Sequence, residues 1–303
     1  MDKKQIKNIK KVLGKDIISF FYHSLFFLSD KAYLKLIYKL RMGKKLNLDN
    51  PTSFTEKLQW LKLYDHKPLY TEMADKFAVR GYIKDKVGEE FLVPLDGIYN
   101  NYNEIDFSKL PSSFVMKPTN DSGSCVICYD KSQLDLKKTK RIINYSLKHN
   151  YYKKTREWQY KNIQPRVIVE KHLGDGGNPI NDYKFFCFNG KAKFMYIEKE
   201  SSSTPSQAIY DMGFNRLPFS MDDDVSQEDY TKPICFDEMR KIAEKLSESI
   251  PFLRVDMYYE NGQIYVGELT FYHYGGYIPF NPPKWDDIIG GWLDISKVIK
   301  GNG

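Results

Sequence analysis

Lys117 closes the apolar run Phe114-Val115-Met116 and leads through Pro118 into the polar loop Thr119-Asn120-Asp121-Ser122-Gly123-Ser124. A lysine at the end of a buried strand is costly unless it meets an anion. The loop after it offers two serines, a glycine and backbone N–H groups, the ingredients of a phosphate cradle. One glycine is no Walker motif, so a plain strand end accounts for the same string. Further on, Glu170 closes Arg166-Val167-Ile168-Val169, and the string Glu170-Lys171-His172-Leu173-Gly174-Asp175 follows. Such a linker can present backbone groups to a nucleotide base and carboxylates to a ribose. It is also what an ordinary strand exit with a glycine turn looks like, with His172 a linker residue.

Arg254, Asp256, Glu268 and Thr270 flank the turn string Glu260-Asn261-Gly262. A two-residue Asn261-Gly262 turn puts Glu268 on the face of Leu253, Val255 and Val266, an unpaired carboxylate on apolar surface. A three-residue loop with Gly262 as a G1 bulge pairs Tyr259 with Gln263 and sets Arg254 against Glu268. Asp256 and Thr270 then point the same way, and Leu253, Val255, Met257, Tyr265 and Leu269 form the core face. The expected register is therefore the second. Two convergent carboxylates and a hydroxyl, without Cys or His, suit Mg²⁺; a cross-strand salt bridge between Arg254 and Glu268 accounts for the same residues.

The elements that must hold these groups can be read coarsely. Pro51 with Thr52, Ser53 and Glu56 marks a helix start, and a second helix is expected from about Leu69 to Tyr82. Strands are expected at Phe91–Val93 ending on Pro94, at Phe114–Lys117, from Cys125 and at Arg166–Glu170. Ser132–Lys148 and Asp237–Glu248 have helical spacing. Asp182–Lys199 reads as a hairpin around Asn189-Gly190, and residues 252–271 as a last one. Helices mixed with hairpins mean an α+β fold.

Composition narrows the classes. Of 303 residues, 42% are hydrophobic and 28% charged, which excludes a disordered chain and a multi-span membrane protein. The longest apolar stretch, Ile17–Leu28, is too short to span a bilayer and lacks a signal-peptide cleavage site. The four cysteines make no disulfide framework. Cys125 and Cys128 form a CxxC inside what reads as a buried strand, with no second Cys/His pair for zinc. A cytoplasmic protein is expected. Residues 1–50 hold twelve Lys/Arg and four Asp/Glu, so the +7 charge resides there and the remainder is nearly neutral. That distribution argues against a nucleic-acid reader. A basic and apolar segment suits either a helical pair packed on the body or peripheral contact with the inner face of the membrane or a biosynthetic partner.

Taken in order, Lys117 with its loop, Glu170–Leu173, Asp182-Tyr183-Lys184, Arg254-Val255-Asp256 and Glu268-Leu269-Thr270 resemble the ATP-grasp superfamily. Asn50–Trp60, Ala74-Asp75-Lys76 and Phe271–Gly276 resemble, more narrowly, its teichuronopeptide-biosynthesis (TupA-like) members, found among capsule and surface-polysaccharide genes. The resemblance covers about residues 40–285. It implies an ATP-grasp fold, in which antiparallel-sheet lid and catalytic domains grip ATP, here with a basic helical N-terminal extension. The expected divisions are 1–50 for that extension, 51–110 for a substrate-side domain, 111–178 for the lid and 179–303 for the catalytic domain. By resemblance, Lys117, Lys184 and Lys76 contact ATP phosphates beneath the Ser122-Gly123-Ser124 loop. Glu170, Lys171 and Leu173 belong to the adenine linker, and Asp175 meets the ribose. Asp256 and Glu268 hold Mg²⁺ and Arg254 neutralises the transferring phosphoryl group. Thr270 stands where the superfamily usually has Asn, and Lys184 where many members have Arg.

The implied reaction activates a carboxylate as an acyl phosphate with ATP and Mg²⁺, then joins it to an amine. The carboxylate belongs to a uronic acid, or to an amino acid or peptide destined for a surface polysaccharide. Two other classes remain open in the sequence. Asp222-Asp223-Asp224 imitates the Asp-x-Asp motif of a metal-dependent glycosyltransferase, although it lies in a polar stretch better read as a loop. Thr270 keeps open a non-catalytic nucleotide-binding protein.

Overall fold

The computed structural model describes residues 25, 27–174, 180–199, 208–221 and 229–298. Two antiparallel sheets organise them. β1 (Leu95–Tyr99), β2 (Phe114–Pro118), β3 (Val126–Cys128) and β4 (Val167–Lys171) lie in the order β1-β4-β2-β3. β5 (Asn181–Phe188), β6 (Lys191–Lys199), β7 (Ala208–Asp211), β8 (Phe252–Glu260) and β9 (Gln263–Thr270) lie in the order β7-β6-β5-β8-β9. The helices are α1 (Asp30–Met42), α2 (Phe54–Tyr64), α3 (Pro68–Ala74), α4 (Val79–Lys86), α5 (Leu136–Lys148), α6 (Tyr151–Thr155), α7 (Phe236–Leu246) and α8 (Lys284–Trp292). This is the expected α+β class.

Strand alternation divides the larger sheet. Phe185, Leu253, Val255 and Met257 are all buried on one side, where Phe185 meets Phe236 of α7 at 5.7 Å between ring centroids. The other side carries Phe186, Phe188 and Phe252 toward one end and Lys184, Arg254 and Asp256 toward the other. α2 covers the aromatic end, with Phe54 at 4.9 Å from Phe252 and 5.7 Å from Phe188. The expected cap is present: Ser53 Oγ accepts from the Glu56 N–H, and the Glu56 carboxylate accepts from the Ser53 N–H. The smaller sheet has its own apolar core of Phe114, Met116, Cys128, Val167 and Val169 with Ile143 of α5.

Three element expectations are corrected. The helix expected over 69–82 is broken into α3 and α4, because Asp75 Oδ1 accepts from the N–H groups of Phe77 (2.8 Å) and Ala78 (3.2 Å), a local turn that outcompetes the helix. The strand expected at 91–93 is a 3₁₀ turn, Glu89–Phe91, followed by a single bridge from Leu92 to Val266, and the first strand begins only after Pro94, whose carbonyl accepts from Lys171 N–H at 2.9 Å. β3 starts at Val126 on the sheet edge and leaves Cys125 exposed.

Residues 1–24 of the basic segment lie outside the described residues. α1 packs on the body, burying Tyr33, Leu34, Ile37 and Tyr38 and leaving Leu40 exposed. It also holds the segment around α6: Tyr33 Oη donates to the Lys154 carbonyl and Tyr152 Oη to Asp30 Oδ2, both at 2.6 Å. Arg156 Nη1 lies 3.5 Å from Asp30 Oδ1. Among the described residues no helix is long and apolar enough to cross a membrane.

Candidate active site

Tyr196 on β6, Lys184 on β5, Asp256 on β8 and Glu268 on β9 are directly paired in turn, forming one line across four strands. The hairpin reaches this arrangement by an unexpected route. Its turn is the two-residue Asn261-Gly262, with φ of +51° and +83°, closing the pair Glu260–Gln263. The expected three-residue loop is therefore wrong. Continued unbroken, that register would bury Glu268 on apolar surface. The pairing instead shifts between Asp256 and Met257, and Gly267 is the extra residue. Val266 and Ile264 consequently take the core side in place of Tyr265, while Glu268 and Thr270 join Asp256 and Arg254. Arg254 opposes Thr270, not Glu268, from which its Nη2 is 3.8 Å distant.

Electrostatics fix this face. Arg254 binds Asp256 through two parallel contacts, Nε to Oδ1 and Nη2 to Oδ2, both 2.6 Å. Its Nη1 donates to His273 Nδ1 at 2.5 Å. Burial, with Arg254 and Lys184 nearby, holds His273 well below its usual range, so the ring is neutral and accepts through Nδ1. Lys184 Nζ sits among Asp182, Asp256 (3.1 Å) and Glu198 (3.6 Å). Burial raises the Asp182 carboxyl to about 6 against the pull of Lys184. Burial opposes the charge on Asp256 as well, but Arg254 and Lys184 outweigh it and hold that carboxyl below its usual range. Four carboxylates thus face two cations, a surplus equal to the charge of one divalent ion.

The donors fit a magnesium ion that brings its own phosphate ligands. Asp256 and Glu268 supply carboxylates, and Thr270 Oγ1 is buried without a hydrogen-bond partner. Among the described residues no group of three Asp, Glu, His or Cys forms a cage. Magnesium commonly takes one or two carboxylates and completes its octahedron with phosphates and water.

The smaller sheet contributes the facing wall. Lys117 Nζ pairs with Glu170 Oε2 at 2.7 Å, and Arg80 Nη1 reaches Glu170 Oε1 at 3.3 Å. Burial disfavours the Lys117 charge, yet Glu170 outweighs it and Glu268 adds to the effect, keeping the ammonium above its usual range. A cavity of about 100 Å³ lies here, lined by Lys117, Glu170, Lys171, Leu173 and, from the larger sheet, Tyr258. Lys76 donates to the Asp121 carbonyl, which anchors the loop carrying Ser122, Gly123 (φ +89°) and Ser124. Asp175 and the 222–224 triplet lie outside the described residues.

A second cavity, about 350 Å³, adjoins Arg254 and Thr270 and is lined by Ser122, Tyr151, Glu157, Tyr160 and Arg41 among others. Glu157, with Lys62 beside it, is the group that sequence reasoning missed. Lys62 carried a signal, since it falls four residues after Leu58 on the buried side of α2. Glu157 sits in an irregular connection where no periodicity marks it.

A family model described as TupA-like ATPgrasp matches residues 56–294. No curated protein sequence matches. Solved structures with some likeness include D-alanine–D-alanine ligase from Bacillus anthracis complexed with ATP, at 15% identity and TM-score 0.37, covering 66% of this chain and 53% of that one. The same enzyme from Helicobacter pylori gives 13% and 0.43, covering 82% and 67%. D-cycloserine synthetase DcsG gives 14% and 0.37, covering 67% and 64%. The chain spans about half the length of the first of these.

Proposed function

The chain belongs to the TupA-like ATP-grasp family, and on that premise we propose that it is an ATP-dependent, ADP-forming carboxylate–amine ligase. The observation that carries the reading is the paired face of Lys184, Arg254, Asp256, Glu268 and Thr270 opposite Lys117, with a cavity on either side. Phosphoryl transfer asks for positioning and charge neutralisation more than for a protein nucleophile. The 100 Å³ cavity would take the adenine between Tyr258 and the 170–173 linker. Lys117 would leave Glu170, which Arg80 continues to neutralise, to meet a phosphate. Lys76 and the 122–124 loop would close over the phosphates, and Arg254, fixed by Asp256 and His273, would face the transferring group.

Asp256, Glu268 and Thr270 would hold Mg²⁺, which when bound neutralises phosphate charge and orients the γ-phosphate. The substrate carboxylate attacks that phosphate, ADP leaves, and an amine displaces phosphate from the acyl phosphate. Residues 111–178 act as the lid that keeps water from this intermediate, and 179–303 as the catalytic domain. The carboxylate is that of a uronic acid, amino acid or peptide used in capsule or surface-polysaccharide synthesis, at the cytoplasmic side of the membrane. The test is product analysis with Mg·ATP and candidate uronates: ADP with phosphate is expected, and AMP, or no nucleotide turnover with any uronate or amino acid, overturns the reading.

A further inference from the structure

α1 buries Tyr33, Leu34, Ile37 and Tyr38 on one side, and with about 100° between successive residues the opposite side turns away from the body. That outer side carries two rows, each stepping by four residues. Lys31, Lys35 and Lys39 form one row, all exposed. Ala32, Leu36 and Leu40 form the other, with Leu36 half-buried and Leu40 60% exposed. The helix is therefore apolar on both sides, and the body covers only the inner one. α6 lies alongside, held by Tyr33 Oη on the Lys154 carbonyl and Tyr152 Oη on Asp30 Oδ2, and it adds the exposed Lys153 and Lys154. Asp30 is the one acidic residue in the two helices, and it is engaged by Tyr152 and, at 3.5 Å, by Arg156 Nη1. Nothing acidic on either helix is left to offset the lysines. The sequence before Leu25 repeats this composition, with Lys3, Lys4, Lys7, Lys10, Lys11 and Lys15 ahead of Ile17, Ile18, Phe20 and Phe21.

We infer that the outer side of α1, flanked by α6, docks on an anionic lipid surface, with the leucines entering the boundary between headgroups and acyl chains and the lysines meeting lipid phosphates. A helix that lies in a membrane surface combines an apolar row with flanking lysines in this way. A soluble polyanion would match the lysine row but give the leucine row nothing to enter. Each lysine near an anionic surface adds about fivefold to binding, and salt screens that contribution. The inference stands apart from the ligase reading. Its consequence is positional: Ile37 on the inner side of α1 and Lys154 of α6 both line the 350 Å³ cavity. Docking sets that cavity about one helix diameter, ~10 Å, from the headgroups.

Co-sedimentation of the full chain with vesicles tests this, comparing phosphatidylcholine alone with a phosphatidylcholine–phosphatidylglycerol mixture. The mixed vesicles should retain the chain and the zwitterionic ones should not, and raising the salt should weaken retention. The triple variant Lys31→Gln, Lys35→Gln, Lys39→Gln should bind the mixed vesicles about a hundredfold more weakly. Leu40→Ser should lose about tenfold. These positions are exposed, so melting temperature and Mg·ATP affinity should match the wild type. Soluble polyaspartate serves as the competing polyanion, and it should displace the chain from vesicles only weakly. No retention on the mixed vesicles, or equal retention on both kinds, overturns the inference. Unchanged retention in both variants also overturns it, by moving the contact off α1. Full displacement by polyaspartate together with indifference to Leu40→Ser assigns the lysine row to a soluble polyanion instead.

Discussion

Asp256 and Glu268 stand directly opposite each other across β8 and β9, although the turn joining those strands would by itself set them one residue out of phase. Gly267 makes up the difference. A Cβ built there would come 2.5 Å from Tyr258 Cε2, and Tyr258 lines the cavity assigned to adenine. Gly267→Ala should therefore push the Tyr258 ring and weaken ATP binding by about tenfold, roughly 1.4 kcal/mol. Equilibrium binding of ATP to the folded variant checks this, and unchanged affinity would separate the bulge from the nucleotide.

Glu268→Gln separates a metal ligand from a structural partner. The side chain is a third exposed and 3.8 Å from Arg254, so its charge contributes little to folding. ADP formation should fall by about a thousandfold or more, ~4 kcal/mol in the transition state, with ATP affinity kept within about tenfold. Melting temperature without metal and ADP release with metal are the paired readouts. A less stable variant with turnover intact would make Glu268 a structural residue.

Lys117→Ala removes the cation that Glu170 shares with Arg80. Loss of a charge-assisted phosphate contact should weaken ATP by about 1.5–3 kcal/mol, whereas ADP, lacking the γ-phosphate, should lose less. Equal loss for both nucleotides would place Lys117 away from the terminal phosphate.

Glu157 should impose a pH slope on stability. Burial raises its carboxyl from 4.5 to about 7, with Lys62 opposing. The folded chain thus keeps a proton that the unfolded chain releases. The stabilisation is full below about pH 4.5 and is lost as pH rises through about 7, amounting to no more than ~3 kcal/mol. Lys62, lowered to about 8 by burial, acts in the separate window above that pH. Denaturant unfolding at several pH values should show this decline in the wild type and not in Glu157→Gln; parallel curves would contradict it.

Which side chains share a face proved more legible in the sequence than the route that brings them there. Asp256, Glu268, Arg254 and Thr270 were readable because burying a carboxylate on apolar surface is costly, whichever register avoids it. The route was not readable: glycine serves equally as a turn residue at 262 and as a bulge at 267, and only the packing of Val266 and Leu269 on one core face decides. Asp75 broke a helix because its carboxylate could serve two N–H groups at once, a choice that helical spacing does not encode. Glu157 was invisible for a different reason, since its burial depends on α1, α2 and the 270–277 connection meeting around it.

α1 bears on how this chain and its relatives can be exchanged. Ile37 and Arg41 line the larger cavity, yet both precede residue 56, where the family match begins. One wall of the cavity thus comes from a segment outside the matched residues. On the ligase reading proposed above, grafting another α1 would alter what that wall accepts while leaving Lys117, Asp256 and Glu268 untouched.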